Sequence, residues 1–113
     1  MKAIVRKVSS SFEHALANFF GSGPTDLSEA LVQHDAYVSK LIDFGVSVRL
    51  IPSHSGYPDC CFVEDHAIVA GDSALLTNAG HDSRLGERKE IENALSSDSV
   101  SYTHLRAHET KAN

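Results

Sequence analysis

Three carboxylates lie close together in the segment Tyr57–Asp65, which reads YPDCCFVED: they belong to Asp59, Glu64 and Asp65. The rest of this segment is largely apolar, so at least part of it should be buried. A buried carboxylate is costly unless a cation or several hydrogen-bond donors meet it. The cation can come from the protein or from a ligand. No Lys or Arg lies within the segment, and the nearest one downstream is Arg84. One interpretation of the segment is therefore that it forms a binding site for a cationic ligand.

The arrangement of these carboxylates depends on the local backbone. Residues 46–51 alternate as a half-buried strand does, and Pro52 ends that strand. If residues 59–65 are also extended, Asp59 and Asp65 share one face and point into one pocket, and Glu64 joins them only at a bulge. The alternative is a strand that closes in a solvated acidic turn, since most acidic residues are exposed.

The cysteines and histidines give weaker signals. Cys60 and Cys61 are adjacent, which strains a disulfide between them, and no C-x-x-C pair is present. Two small, buried thiols are the simplest interpretation, because an acidic neighbourhood disfavours a reactive thiolate. We expect satisfied or solvated histidines rather than ligands at positions 34, 54, 66 and 81. The four-residue spacing of His104 and His108 allows two metal ligands, but no third ligand is evident, so no metal site is predicted.

Length and charge exclude several classes of function. The chain has 113 residues, 42% of them hydrophobic, and a formal net charge of −5. This composition is typical of one small folded domain or a piece of a larger one, and it argues against disorder. The negative charge and the absence of a basic run give no support for nucleic-acid binding. No apolar stretch is long enough to span a membrane and no signal peptide is evident, so a cytoplasmic protein is expected.

The elements that would position the carboxylates follow an α/β pattern. Strands are predicted at residues 3–8 and 46–51, and a hairpin is predicted from 67–70 and 74–77 around Gly71-Asp72-Ser73. Residues 12–20 predict a short helix or an ordered loop. A helix is predicted from Thr25 or Asp26 to Gly45, and a second one over 84–95. This order implies an α/β domain whose sheet has an unpaired edge, and we expect the chain to be incomplete.

Several of these segments together resemble the dimethylarginine dimethylaminohydrolase family. They are Leu31–Val38, Tyr57–Asp65 with its F-V-E-D element, Ala74–Thr77 and Ser83-Arg84, and the resemblance covers roughly residues 1 to 95. It implies part of a pentein-type α/β propeller, about one and a half of five ββαβ modules. It also implies hydrolysis of Nω-methylated arginine to citrulline and a methylamine through a cysteine thiouronium intermediate, without a cofactor.

The resemblance also implies roles for individual residues. Asp65 with Glu64 would bind the substrate guanidinium, and Asp59 would bind near the α-ammonium group. Arg84 would hold the α-carboxylate, and Leu16 would lie on a lid loop beside the substrate. The family's nucleophilic cysteine, its catalytic histidine and a further arginine have no counterpart in this sequence. We therefore expect the chain to contain part of the substrate-binding site and to be inactive alone. Whether the full-length protein forms a homodimer stays open.

Residues 99–113 do not resemble the continuation of the family. We therefore predict family sequence over residues 1–98 and a foreign tail over 99–113. Two alternatives stay open. One is an arginine deiminase or amidinotransferase relative, against which the F-V-E-D element weighs. The other is a non-catalytic domain that binds guanidino compounds or acts as an interaction module.

Overall fold

The structure is a computed structural model that describes residues 1–15, 26–78, 80–98 and 100–104. It divides into two compact units, Met1–Phe62 and Val63–Asn113. Both units combine helices with strands, which confirms a mixed α/β chain. The propeller arrangement itself stays a prediction. No helix in the described ranges is long and apolar enough to cross a membrane.

The first unit is built on a pair of parallel strands. β1 (Lys2–Arg6) pairs with β2 (Ser47–Ile51), so that Lys2 lies opposite Ser47 and Arg6 opposite Ile51. Parallel strands need a long connection, and it contains a 3₁₀ helix, Phe12–His14, and helix α1 (Leu27–Asp43). The small core of this unit includes four buried apolar residues: Val5, Val8, Ile51 and Cys60.

Helix α1 confirms the predicted boundaries. The Asp26 carboxylate accepts a hydrogen bond from the backbone N–H of Glu29 at 3.1 Å, which satisfies one of the free donors of the first turn. At the other end Gly45 has a φ of 85°, and the N–H groups of Gly45 and Val46 donate to the carbonyls of Ile42 and Leu41. These two bonds form a Schellman motif, for which glycine is the favoured residue.

The second unit contains a three-stranded sheet with one helix. β3 (Ala67–Ala70) and β4 (Ser73–Leu76) form an antiparallel hairpin, and β5 (Ser101–His104) pairs with β4 in parallel. A 3₁₀ helix, Asp82–Glu87, and helix α2 (Arg88–Ser97) connect β4 to β5. The core is formed by five buried residues from β4 and α2: Ala74, Leu76, Ile91, Ala94 and Leu95.

Residues 59–65 are not extended, so the condition under which Asp59 and Asp65 would share one face is not met. The N–H of Cys60 donates to the carbonyl of Tyr57, and the N–H of Phe62 donates to that of Asp59, so the backbone turns twice. A 3₁₀ helix, Val63–Asp65, follows. The Pro-Asp pair at 58–59 has strong turn propensity, and it outweighs the apolar neighbours. Asp59 and Asp65 therefore do not share a strand face.

Other differences concern the ends of elements. The hairpin is confirmed, with Gly71 at a φ of 59° in its turn. The second helix begins at Arg88 rather than at residue 84, because a 3₁₀ helix over Asp82–Glu87 precedes it. Of the predicted element 12–20, the structure describes a 3₁₀ helix at Phe12–His14 and nothing beyond residue 15. Residues 101–104, which the sequence left outside the fold, form β5; the domain boundary at residue 98 stays a prediction.

Candidate functional site

A buried arginine lies at the centre of a charged cluster in the second unit. Arg84 is in the 3₁₀ helix before α2 and only 9% of its surface is exposed. Its backbone N–H donates to the carbonyl of His81, whose imidazole Nδ1 in turn accepts from the N–H of Ser83. These local bonds start the 3₁₀ turn and direct the arginine side chain into the unit, where carboxylates meet its guanidinium.

The first of these carboxylates belongs to Glu87, three residues further along the same 3₁₀ helix. Nε of Arg84 donates to Oε2 at 3.1 Å, and Nη2 donates to Oε1 at 2.9 Å. Glu87 is only 1% exposed. Two parallel N–H···O bonds from a planar guanidinium to a carboxylate add geometric specificity as well as energy to an ion pair. Glu87 therefore holds one edge of Arg84 in a fixed plane.

His66 completes the buried part of the cluster. Its Nε2 lies 2.8 Å from Oε1 of Glu87 and 3.4 Å from Nη2 of Arg84. The shorter contact, to an acceptor, places the Nε2 proton toward Glu87. The other ring nitrogen, Nδ1, is buried and has no hydrogen-bond partner among the described residues. His66 was expected to be a satisfied histidine, and this holds for one of its two nitrogens.

The second carboxylate on Arg84 is that of Asp65, at the end of the 3₁₀ helix Val63–Asp65. Nη1 of Arg84 lies 2.6 Å from Oδ2 of Asp65, whose side chain is 53% exposed. The Asp65 carbonyl accepts from the hydroxyl of Thr77, which fixes the backbone beside β4. The cation for the acidic segment was expected to come either from the protein or from a ligand. At Asp65 the protein supplies it, in the form of Arg84. Half of this carboxylate nevertheless remains accessible to solvent.

The contacts with Glu87 and Asp65 stabilise the positive charge of Arg84. Burial by itself would lower the pKa of Arg84, because it penalises the charged form. The hydrogen bonds to Glu87 and to Asp65 act in the opposite direction and hold the pKa above its ordinary value. Arg84 is therefore a permanent cation in contact with one buried and one half-exposed carboxylate.

The remaining predicted site residues are placed as follows. Glu64 is exposed, and within residues 63–78, 80–98 and 100–104 its carboxylate has no hydrogen bond or ion pair. Asp59 belongs to the first unit, where it is 5% exposed in the turn before Phe62. Leu16 lies outside the described residues. Asp65 and Arg84 are thus the predicted residues that the structure brings into direct contact.

Glu87 is a residue of this cluster that the sequence interpretation missed, and His66 was underestimated. A signal for Glu87 was present, because positions three apart on a helical turn are neighbours and an Arg-x-x-Glu pair is typical of an ion pair. No comparable signal existed for His66. Its partner is 21 residues away in sequence, and the hairpin and the 3₁₀ helix bring the two together.

Cysteines do not take part in this cluster. Cys60 is buried and its thiol lies 3.5 Å from the carbonyl of Lys7, while Cys61 is half-buried; neither is in a disulfide. This agrees with the interpretation of structural cysteines. His104 lies 3.9 Å from Glu92, and no group of three metal-ligating side chains occurs among the described residues. His108 lies outside the part of the chain that is described.

Comparisons with known proteins identify the relatives of the chain. Residues 9–112 match the family model described as N,N dimethylarginine dimethylhydrolase, eukaryotic. The chain is 39% identical over 70 residues to N(G),N(G)-dimethylarginine dimethylaminohydrolase from Pseudomonas aeruginosa, and these residues are 62% of the chain and 28% of the relative. It is 34% identical over 94 residues to the protein of the same name from Streptomyces coelicolor, covering 83% of the chain and 36% of the relative.

A solved structure gives the same result. A cysteine-to-serine mutant of the Pseudomonas aeruginosa enzyme, complexed with citrulline, superposes with a TM-score of 0.87 at 30% identity, over 94% of this chain and 42% of that one. The chain thus matches less than half the length of each of these relatives. The family model covers most of the chain, however, and it includes the acidic segment and the buried Arg84. The chain belongs to the dimethylarginine dimethylaminohydrolase family.

Proposed function

We propose that this chain is the N-terminal part of a hydrolase that converts Nω-methylated arginine to citrulline and a methylamine. One observation carries the proposal: in a chain of this family, the half-exposed Asp65 carboxylate pairs with a buried, permanently charged Arg84, and the exposed Glu64 directly precedes Asp65 in the chain. Adjacent negative and positive groups suit a zwitterionic amino acid with a cationic side chain. The complex of the Pseudomonas aeruginosa relative with citrulline supports this substrate class.

The roles proposed for the side chains follow from their charge. Asp65 and Glu64 bind the substrate guanidinium, and Asp59 binds near its α-ammonium group. Arg84 binds the α-carboxylate, and Leu16 packs beside the substrate. The covalent step belongs to residues beyond this chain: a cysteine attacks the guanidinium carbon, methylamine leaves from the tetrahedral adduct to give a thiouronium, and water attacks the thiouronium to release citrulline and the free cysteine. A histidine there acts as general acid and base.

The contact between Arg84 and Asp65 determines how such a substrate would enter. Glu87 occupies the Nε and Nη2 edge of the guanidinium, so a substrate carboxylate approaches on the Nη1 side, where Asp65 lies at 2.6 Å. Binding then exchanges partners. The ion pair between Arg84 and Asp65 breaks. Arg84 then pairs with the substrate carboxylate, and Asp65 pairs with the substrate guanidinium. One internal ion pair is replaced by two pairs with the ligand, so the charges of the free site stay compensated.

A binding experiment on the purified chain tests these roles. Nω-methylarginine should bind to the wild-type chain, and Asp65→Asn should weaken binding by about tenfold or more because the guanidinium loses a charged partner. Asp82→Asn, an exposed acid of the same unit, is the matched control and should bind as the wild type does. Equal affinity of Asp65→Asn and wild type would remove Asp65 from the proposed role.

Catalysis is tested separately. We expect the 113-residue chain to form no citrulline, and appreciable turnover would refute the assignment of the covalent step to residues outside it. Sequencing the source DNA across and beyond codon 98 should extend the reading frame through a further histidine and a late cysteine. The extended enzyme should prefer methylated over free arginine. Preference for free arginine would instead favour an arginine deiminase relative.

A further inference from the structure

We infer that Glu87 is a positioning residue, which fixes the plane of Arg84 so that its Nη1 side is presented to the substrate carboxylate. This inference rests on the proposed binding of the α-carboxylate by Arg84. Glu87 itself would not touch the substrate, because it is 1% exposed and lies on the opposite edge of the guanidinium. Its contribution would be to orient a group that does.

The geometry supports orientation rather than charge compensation alone. A single salt bridge leaves a long arginine side chain free to rotate about its terminal bonds. Ligand binding must then order the side chain, which costs conformational entropy. The two bonds from Nε and Nη2 to the two oxygens of Glu87, at 3.1 and 2.9 Å, define the guanidinium plane. The side that is left toward Asp65 is therefore preorganised, which lowers the ordering cost of ligand binding.

Glu87 is itself held in place from two directions. Its backbone is at the end of the 3₁₀ helix that also carries Arg84, so their separation is set by one helical turn. Nε2 of His66, at 2.8 Å from Oε1, orients the carboxylate from the residue that precedes β3. Glu87 and His66 are each 1% exposed, and Arg84 is 9% exposed. A rigid support of this kind would be unnecessary if Arg84 were only a surface cation.

The functional consequence is selectivity for a carboxylate. A correctly oriented guanidinium discriminates a carboxylate from a neutral carboxamide, since the charge-assisted bonds of the carboxylate are roughly twice as strong. A guanidinium that has lost its orientation retains its charge but binds both ligands in many geometries. The discrimination should therefore depend on Glu87, although Glu87 contacts neither ligand.

The test compares two ligands on four proteins. Affinities of Nω-methylarginine and of its α-carboxamide are measured for the wild-type chain, Glu87→Gln, Glu87→Asp and Glu90→Gln. Glu87→Asp retains the charge but shortens the side chain, and Glu90 is an exposed acid of α2 that serves as the matched control. Solvent exchange of the Arg84 Nε–H is measured by NMR in the same proteins without ligand.

Wild type and Glu90→Gln should prefer the carboxylate by about tenfold or more, whereas both Glu87 variants should lose most of this preference. Exchange of the Arg84 Nε–H should be at least about tenfold faster in the Glu87 variants. A preserved preference, an equal loss of affinity for both ligands, or unchanged exchange overturns the inference. A wild-type chain that binds neither ligand refutes instead the proposed binding of the α-carboxylate by Arg84 in this chain, and the exchange rates then decide alone whether Glu87 holds Arg84.

Discussion

Two carboxylates bind the same arginine from environments that differ sharply, and this difference predicts unequal stability effects. Glu87 is 1% exposed, whereas the side chain of Asp65 is 53% exposed. Glu87→Gln and Asp65→Asn both remove one negative charge from Arg84 and change the side-chain shape very little. The comparison therefore isolates the effect of burial on an ion pair.

The expected magnitudes follow from what remains around Arg84. Glu87→Gln leaves a mostly buried guanidinium whose Nε and Nη2 donors face a neutral amide, and breaking a buried pair in this way costs about 3 kcal/mol. Asp65→Asn removes a pair that water already screens, which costs at most about 1 kcal/mol. The difference of about 2 kcal/mol corresponds to a factor of roughly 30 in the unfolding equilibrium.

Urea unfolding followed by far-UV circular dichroism measures both variants on the purified chain. The transition midpoints give the free energies of unfolding, provided that the dependence on urea concentration is the same for all proteins. Arg84→Met alone should be at least as destabilising as Glu87→Gln, because it removes the cation that compensates the buried Glu87 carboxylate. The double variant Arg84→Met/Glu87→Gln should recover part of that loss, since no buried charge then remains.

Equal costs for Glu87→Gln and Asp65→Asn would contradict this prediction. Simply additive losses in the double variant would contradict it as well. Either result would mean that burial does not determine the strength of this cluster, and the same result would weaken the positioning role inferred for Glu87.

Two further predictions concern local features of the fold. His66→Phe should change the free energy of unfolding by less than about 1 kcal/mol, since the lost bond to Glu87 is offset by removal of the buried Nδ1, which has no partner among the described residues; urea unfolding checks this, and a loss above about 3 kcal/mol would contradict it. Asp26→Ala should destabilise the chain by about 1 kcal/mol because α1 loses its N-cap; Asp35→Ala, an exposed mid-helix change, is the control and should cost nothing measurable in the same assay.

Elements with strong local signals could be predicted from the sequence. Helix α1 has a capping Asp26 and a terminal Gly45, and both ends lie where these residues indicate. The hairpin follows from two short apolar runs around Gly71. The start of α2 could not be predicted as well, because residues 82–87 have helical character but adopt a 3₁₀ helix before α2 begins. Sequence periodicity does not separate these two kinds of helix over a single turn.

The candidate site could be predicted in composition but not in arrangement. The charges of Asp65 and Arg84 pointed to an ion pair or a cationic ligand, and their direct contact could not be read from a separation of 19 residues. An extended conformation of residues 59–65 would put Asp59 and Asp65 on one face. The segment forms two turns instead, because its backbone hydrogen bonds are local and are not made to a partner strand. His66 and Glu87 meet only through tertiary structure.

The partner exchange proposed for Arg84 and Asp65 has a consequence for selectivity. A ligand with only a carboxylate could compete for Arg84, but it would leave Asp65 without a cation. A ligand with only a guanidinium would likewise pair with Asp65 but would take the Asp65 carboxylate away from Arg84. Each of these ligands exchanges one ion pair for another and gains little. A ligand that carries both groups at the correct separation forms two ion pairs in place of one. The internal Arg84–Asp65 contact of 2.6 Å therefore favours zwitterionic, arginine-like molecules over ligands that carry only one of the two charged groups.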